Sequence, residues 1–149
     1  MEYSIGILLA IAGIGLAAVF GLARERSFYS TIMIWIASNY VLFALMGGSH
    51  QTLILESLLA AGFISAAMIG FKGSLWIVVA ALVGHGLFDF VHHQLVANPG
   101  VPPWWPGFCL AFDVTAGGLL AFFLLTQSRF SVAPSSGVIA EESDKPSTR

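Results

Sequence analysis

Five apolar runs of about 20 residues each, parted by short polar breaks, leave this chain few ways to fold. At 1.5 Å of rise per residue, a helix of that length spans the roughly 30 Å hydrocarbon core of a bilayer. The runs cover Ser4–Ala23, Phe28–Gly47, Thr52–Phe71, Ser74–Val96 and Gly107–Gln127. Arg24-Glu25-Arg26 ends the first, Gly47-Gly48-Ser49-His50-Gln51 the second and Lys72-Gly73 the third. The stretch from Asn98 to Pro106, with Pro99, Pro102, Pro103 and Pro106, is too rich in proline for helix. Only 9% of residues are charged, against roughly a quarter in a soluble domain, so lipid must be the solvent for most of the surface. The sequence reads as an all-α transmembrane bundle of five helices over residues 1–127, in a cell membrane. Residues 128–149, rich in Ser, Pro and charge, read as a disordered tail.

The basic residues orient this bundle. Arg24 and Arg26 follow the first run, Lys72 the third, and Arg129, Lys145 and Arg149 the fifth. Five alternating crossings gather all six on one side, which the positive-inside rule makes cytoplasmic, with the N-terminus outside. No Lys or Arg precedes the first run, so it reads as a retained helix and not as a cleaved signal. No basic cluster offers a nucleic-acid surface, and Cys109, being alone, can form neither an intrachain disulfide nor a Cys-based zinc site. Tyr3, Tyr29, Trp76, Trp104 and Trp105 fall where an interfacial aromatic belt would lie. Gly13, Ala17 and Gly21, and again Gly62, Ala66 and Gly70, form small-residue stripes that would pack helices within the chain or build a homo-oligomer.

The chemistry concentrates in the fourth run, Gly84-His85-Gly86-Leu87-Phe88-Asp89-Phe90-Val91-His92-His93. At 100° per residue, His85, Asp89, His92 and His93 fall within an arc of roughly 100° on an otherwise apolar helix. Asp89 and Asp113 each lie ~10 Å inside the outer end of their runs, Asn39 lies ~12 Å in, and Glu56 a few residues in. Four helices thus bring their most polar residue to one layer. Cys109, Gly117 and Ala121 share the face of Asp113, which turns that carboxylate toward the bundle.

Each ionised carboxylate at a helix centre costs on the order of 3 kcal/mol, and no Lys or Arg lies within a run to offset it. Protons, imidazolium or a bound cation must do so. Neutral imidazole and carboxylate are ligands that zinc, iron and manganese accept. A divalent metal, zinc or iron, held by His85, Asp89, His92 and Asp113, with His93 and Glu56 as further candidates, fits this set. Asp89, Asp113 or Glu56 would then serve as general base. Plainer roles stand beside these: His92 and His93 interfacial near the end of the fourth run, Glu56 snorkelling to the surface, His50 solvated, Asn39 in an interhelical hydrogen bond, Cys109 as a packing residue, and Trp104-Trp105 as an anchor or a lid.

The His85-x3-Asp89-x2-His92 pattern resembles, over this one helix, intramembrane hydrolases of the ceramidase and adiponectin-receptor type. Those proteins have seven spans, so the resemblance implies a kind of zinc chemistry and not a fold. The five runs, the Gly84-His85-Gly86-x2-Asp89 helix and the Pro102-Pro103-Trp104-Trp105 loop are similar to a family of small multi-pass bacterial membrane proteins. That similarity implies no particular reaction. Three classes of function stay open. One is an outward-facing enzyme acting on a lipid-like substrate, either a metal-dependent hydrolase or a metal-free acid–base catalyst of the kind seen in small membrane terpene cyclases. The second is proton- or cation-coupled transport, and the third a non-catalytic assembly subunit.

Overall fold

The computed structural model describes residues 1–130, with side chains through Thr126. Five helices follow one another: α1 (Glu2–Val19), α2 (Arg26–Gly47), α3 (His50–Lys72), α4 (Leu75–Leu95) and α5 (Trp105–Phe130). All five are long and apolar enough to cross a membrane. Short turns close three of the breaks. Gly21, with φ of 79°, takes the left-handed conformation that only glycine adopts without strain, so α1 stops at Val19 and a 3-10 turn over Leu22–Arg24 leads into α2. Ser49 and Ser74 cap the next two helices, their hydroxyls accepting from the Thr52 and Trp76 amides. Pro106 sits in the first turn of α5, where a missing N–H costs nothing, and α5 runs on through Arg129 and Phe130, past the expected end of the fifth run. The expected disorder beyond that point lies outside the described residues.

α4 is the central helix, packed on α5, α3 and α2, while α1 lies outside against α5. The N-terminus, the α2–α3 break and the α4–α5 loop share one end of the bundle. The α1–α2 and α3–α4 turns, with Arg24, Arg26 and Lys72, share the other. At that basic end Arg26 does more than mark a side. Its guanidinium donates to the carbonyls of Gly70, Phe71 and Gly73 at 3.3, 2.9 and 2.7 Å, capping the orphan acceptors at the end of α3.

Large side chains face outward on every helix, Leu16, Leu45, Leu58, Leu87 and Phe122 among them. The basic half of the interior is apolar, built of Met33, Ala37, Ala67, Val78, Leu82, Ala116 and Leu120. Tyr29, expected at an interface, lies inside this core with its hydroxyl unpartnered, because it takes the inner face of α2. Helices approach closely where side chains vanish: a Cβ on Gly86 would meet Asp113 Cβ at 3.1 Å and Leu110 Cα at 3.2 Å. Of the two small-residue stripes, Ala17 and Gly70 are buried, whereas Gly13 and Gly62 have nothing within 4 Å of a would-be Cβ.

Candidate functional site

The polar half of the bundle holds five buried His, Asp and Glu side chains from three helices. Glu56, His85, Asp89, His92 and Asp113 are each no more than 4% exposed. α4 supplies the axis. His85, Asp89 and His92 recur at the i, i+4, i+7 spacing that stacks side chains on one face, and α4 alone touches the three helices bearing their partners.

Contacts divide the cluster into two linked groups. In the deeper one, His85 Nδ1 lies 2.8 Å from Asp113 Oδ2 of α5 and 3.9 Å from Asp89 Oδ2. The Tyr40 hydroxyl of α2 donates to Asp89 Oδ1 at 2.5 Å. In the shallower group, His92 Nε2 lies 3.0 Å from Glu56 Oε2 of α3, and Asn98 Nδ2 of the loop donates to Glu56 Oε1 at 2.8 Å. The Tyr40 ring joins the groups, its centroid 5.0 Å from the His85 ring and 5.3 Å from that of His92. Phe63 and Phe88 complete an aromatic collar, Phe63 meeting the His85 ring edge-on at 4.8 Å.

With Asp113 and Glu56 ionised, each carboxylate only accepts, and the hydrogen of His85 is then on Nδ1 and that of His92 on Nε2. In the neutral His85 ring the lone pair is then on Nε2, a buried nitrogen with no partner. An imidazole oriented by a carboxylate through one nitrogen and free at the other is the arrangement of a general base.

Ile36, Asn39, Tyr40, Phe43, His85, Asp89 and His92, with Val101, Trp105 and Pro106, line a cavity of about 10 Å³, room for the centre of a single water. The α4–α5 loop seals it. Thr52 Oγ1 donates to the Ala97 carbonyl at 3.2 Å, and Asn98 is fixed by Glu56 and by the Gly100 amide. Gly100 presses against Gly47 and the Phe43 carbonyl, where a Cβ on Gly47 would lie 2.7 Å from the Gly100 nitrogen. Outside the seal an open vestibule of about 550 Å³ shares His92, Val101 and Pro106 with the enclosed cavity.

Of the residues singled out in the sequence, His85, Asp89, Asp113, His92 and Glu56 come together, and Glu56 is buried where it had the option of snorkelling. His93 does not join them. It stands 100° round the helix from His92 and is exposed beside the vestibule. His50 begins α3, exposed and outside the cluster. Asn39 donates to Trp35 of its own helix at 3.3 Å and borders the small cavity, while the α2 residue that bonds the cluster is its neighbour Tyr40, which the sequence reading passed over. Asn98 was also missed. Cys109 is buried beside Asp89 and Asp113, and Trp105 packs edge-on against Phe43 at 4.9 Å while Trp104 faces out. Among the described residues no three His, Cys, Asp or Glu side chains are placed to hold a metal ion. Asp113 and Asp89 both face His85 Nδ1, and Glu56 faces His92 Nε2, so the carboxylates meet imidazoles and share no common point.

The chain matches no family model, no curated protein and no solved structure, so the roles of these residues rest on the geometry alone.

Proposed function

We propose that this is a cell-membrane protein carrying an acid–base catalytic site in the outer half of its bundle, acting on a lipid-like substrate. The observation that carries the reading is the His85–Asp113 pair: an imidazole held by a buried carboxylate through Nδ1, with an unpartnered Nε2, beside a cavity sized for one water. His85 Nε2 takes a proton from the substrate or from that water. The cationic ring that forms is stabilised by Asp113 and, at 3.9 Å, by Asp89. Tyr40 holds Asp89 in place through its hydrogen bond, and the cationic His85 ring returns the proton it took to the product.

Two further supports are architectural. The basic half of the interior is aliphatic and aromatic apart from the Tyr29 hydroxyl and Ser30, with no continuous polar path leading on from His85 among the described residues, which favours a one-sided catalyst over a carrier. Arg24, Arg26 and Lys72 lie at the opposite end from the site, which supports an outward-facing site and N-terminus under the positive-inside rule. The metal-dependent form of the reading has less support, because Asp113 and Glu56 each face an imidazole nitrogen and Asp89 accepts from Tyr40.

The test uses proteoliposomes made from a total lipid extract and incubated in heavy water enriched in oxygen-18. Wild type is expected to introduce deuterium, for proton transfer at carbon, or oxygen-18, for hydrolysis, into a lipid species. His85→Gln and Asp113→Asn should not. A lipid profile identical for wild type and His85→Gln would refute the proposal.

A further inference from the structure

The vestibule does not stand alone. On the other side of Glu2 lies an apolar groove of about 540 Å³, walled by Ile5 and Leu9 of α1 and by Trp35, Trp104, Trp105 and Phe108. Glu2 borders both spaces. The groove follows α1 from Glu2 to Leu9, ~10 Å along the helix axis, which is the direction a lipid chain takes into a leaflet. A polar chamber at the membrane surface adjoining an apolar channel that runs inward has the shape of a receptor for an amphiphile.

The polar wall specifies the head. It is made of Glu2, Tyr3, His92, His93 and Asn98: a carboxylate, a phenol, two imidazoles and a carboxamide. After its bonds to Glu56 and Gly100, Asn98 retains one N–H and one lone pair. No Lys or Arg lies at this end among the described residues, and the Met1 amino group is already 3.2 Å from Glu2 Oε2. A phosphate placed there would meet no guanidinium fork or ammonium of its own and would sit beside a carboxylate. Hydroxyl groups, which donate to carboxylate and imidazole and accept from amide, suit the same wall.

We infer that the vestibule and the groove together bind an uncharged, hydroxyl-bearing lipid, its head against Glu2, His93 and Asn98 and one chain along α1. The inference rests on the acid–base reading for its purpose, since His92 is the shared wall between vestibule and enclosed cavity. It stands on its own as a binding site. Phosphate-ester lipids are discriminated against by charge, and the head waits within one side chain of the site.

The test reads binding, not turnover. In a Trp76→Phe background every remaining tryptophan, Trp35, Trp104 and Trp105, lines the groove and reports on it. The protein is placed in phosphatidylcholine nanodiscs carrying chain-brominated diacylglycerol or chain-brominated phosphatidylglycerol. Diacylglycerol is expected to reach half-maximal quenching at a mole fraction about fivefold lower, the ratio that about 1 kcal/mol of preference gives. Glu2→Lys, at a half-buried position on the first turn of α1, should bring the two lipids level or reverse them. Equal quenching in wild type, or a preference untouched by Glu2→Lys, would overturn the inference. His85→Gln separates the two proposals, because it should abolish isotope incorporation and keep the lipid preference. Incorporation without preference would sink the binding site alone, and preference without incorporation in wild type would sink the acid–base reading alone.

Discussion

Two tyrosines on one helix offer a matched experiment. Tyr29 and Tyr40 both lie on α2 and both are buried, at 1% and 5% exposure. The Tyr40 hydroxyl donates to a buried carboxylate at 2.5 Å, whereas the Tyr29 hydroxyl has no partner. Replacing each by phenylalanine removes one oxygen and keeps the ring. Hydrogen bonds to charged groups contribute about 1.5–3 kcal/mol in soluble proteins. Interhelical ones in a membrane protein average roughly 0.6 kcal/mol and reach about 1.7. A short bond to a buried carboxylate belongs at the top of the second range, tempered by the adjoining cavity, which has room for one water to take over the lost contact. Tyr40→Phe is therefore expected to destabilise the bundle by ~1.5 kcal/mol, about a tenfold fall in the folding constant. Tyr29→Phe removes an unsatisfied group from an apolar core and should be neutral or stabilising within ~0.5 kcal/mol. The assay is unfolding by dodecyl sulfate in mixed micelles, followed by tryptophan fluorescence. A double-mutant cycle with Asp89→Asn isolates the pair and should give a coupling near ~1 kcal/mol. Equal losses for the two tyrosines, or a coupling below ~0.3 kcal/mol, would refute the assignment of Tyr40 to the site.

Three other expectations follow from the same geometry. Gly86→Ala, which drives a methyl against Asp113 Cβ and Leu110 Cα, should cost ~1–3 kcal/mol, while Gly62→Ala, with nothing near it, should gain up to about 1 kcal/mol by helix propensity; the micelle unfolding assay reads both, and equal signs would contradict the α4–α5 packing. A cysteine placed between Pro99 and Pro106 in a Cys109→Ala background should react with an impermeant maleimide on intact cells, and labelling only after lysis would reverse the orientation. Protein purified without chelators, then offered zinc, iron or manganese, should retain far less than one ion per chain. About one ion per chain, lost in Asp89→Asn/His92→Ala, would replace the acid–base reading with the metal-dependent one.

Much of the bundle could be read from hydropathy and period alone. A helix must be long and apolar to cross lipid, so each apolar run marks a helix to within a few residues. The error at the end of α1 came from Gly21, whose left-handed turn is invisible to an apolar count. The polar stripe of α4 was legible because one helix carries it, and its 100° steps place residues without reference to any neighbour. They also account for His93, at the edge of the arc and outside the cluster. What lay beyond the sequence was pairing between helices. Which carboxylate meets which histidine depends on how α3 and α5 are rotated against α4, and one residue of rotation exchanges Asn39 for Tyr40. Asp113 was the exception, since the small residues on its face disclosed where it must point. Asn98 reaches Glu56 from a proline-rich loop whose path no periodicity records. Arg26 was read as a topological charge, and its capping of α3 depends on two turns meeting at the basic end of the fold.

The most direct test of the account is the hydrogen placement on the two buried histidines. Nitrogen-15 magnetic resonance of ring-labelled protein in bilayers, with resonances assigned from His85→Gln and His92→Gln, distinguishes the two ring nitrogens of each. Opposite tautomers are expected at neutral pH: His85 with its hydrogen on Nδ1 and a free Nε2, and His92 with its hydrogen on Nε2. Asp113→Asn should disturb the His85 signals and leave those of His92 in place. A His85 ring protonated on Nε2, whether as the other tautomer or as a cation, would leave no base in the site and would contradict the proposal.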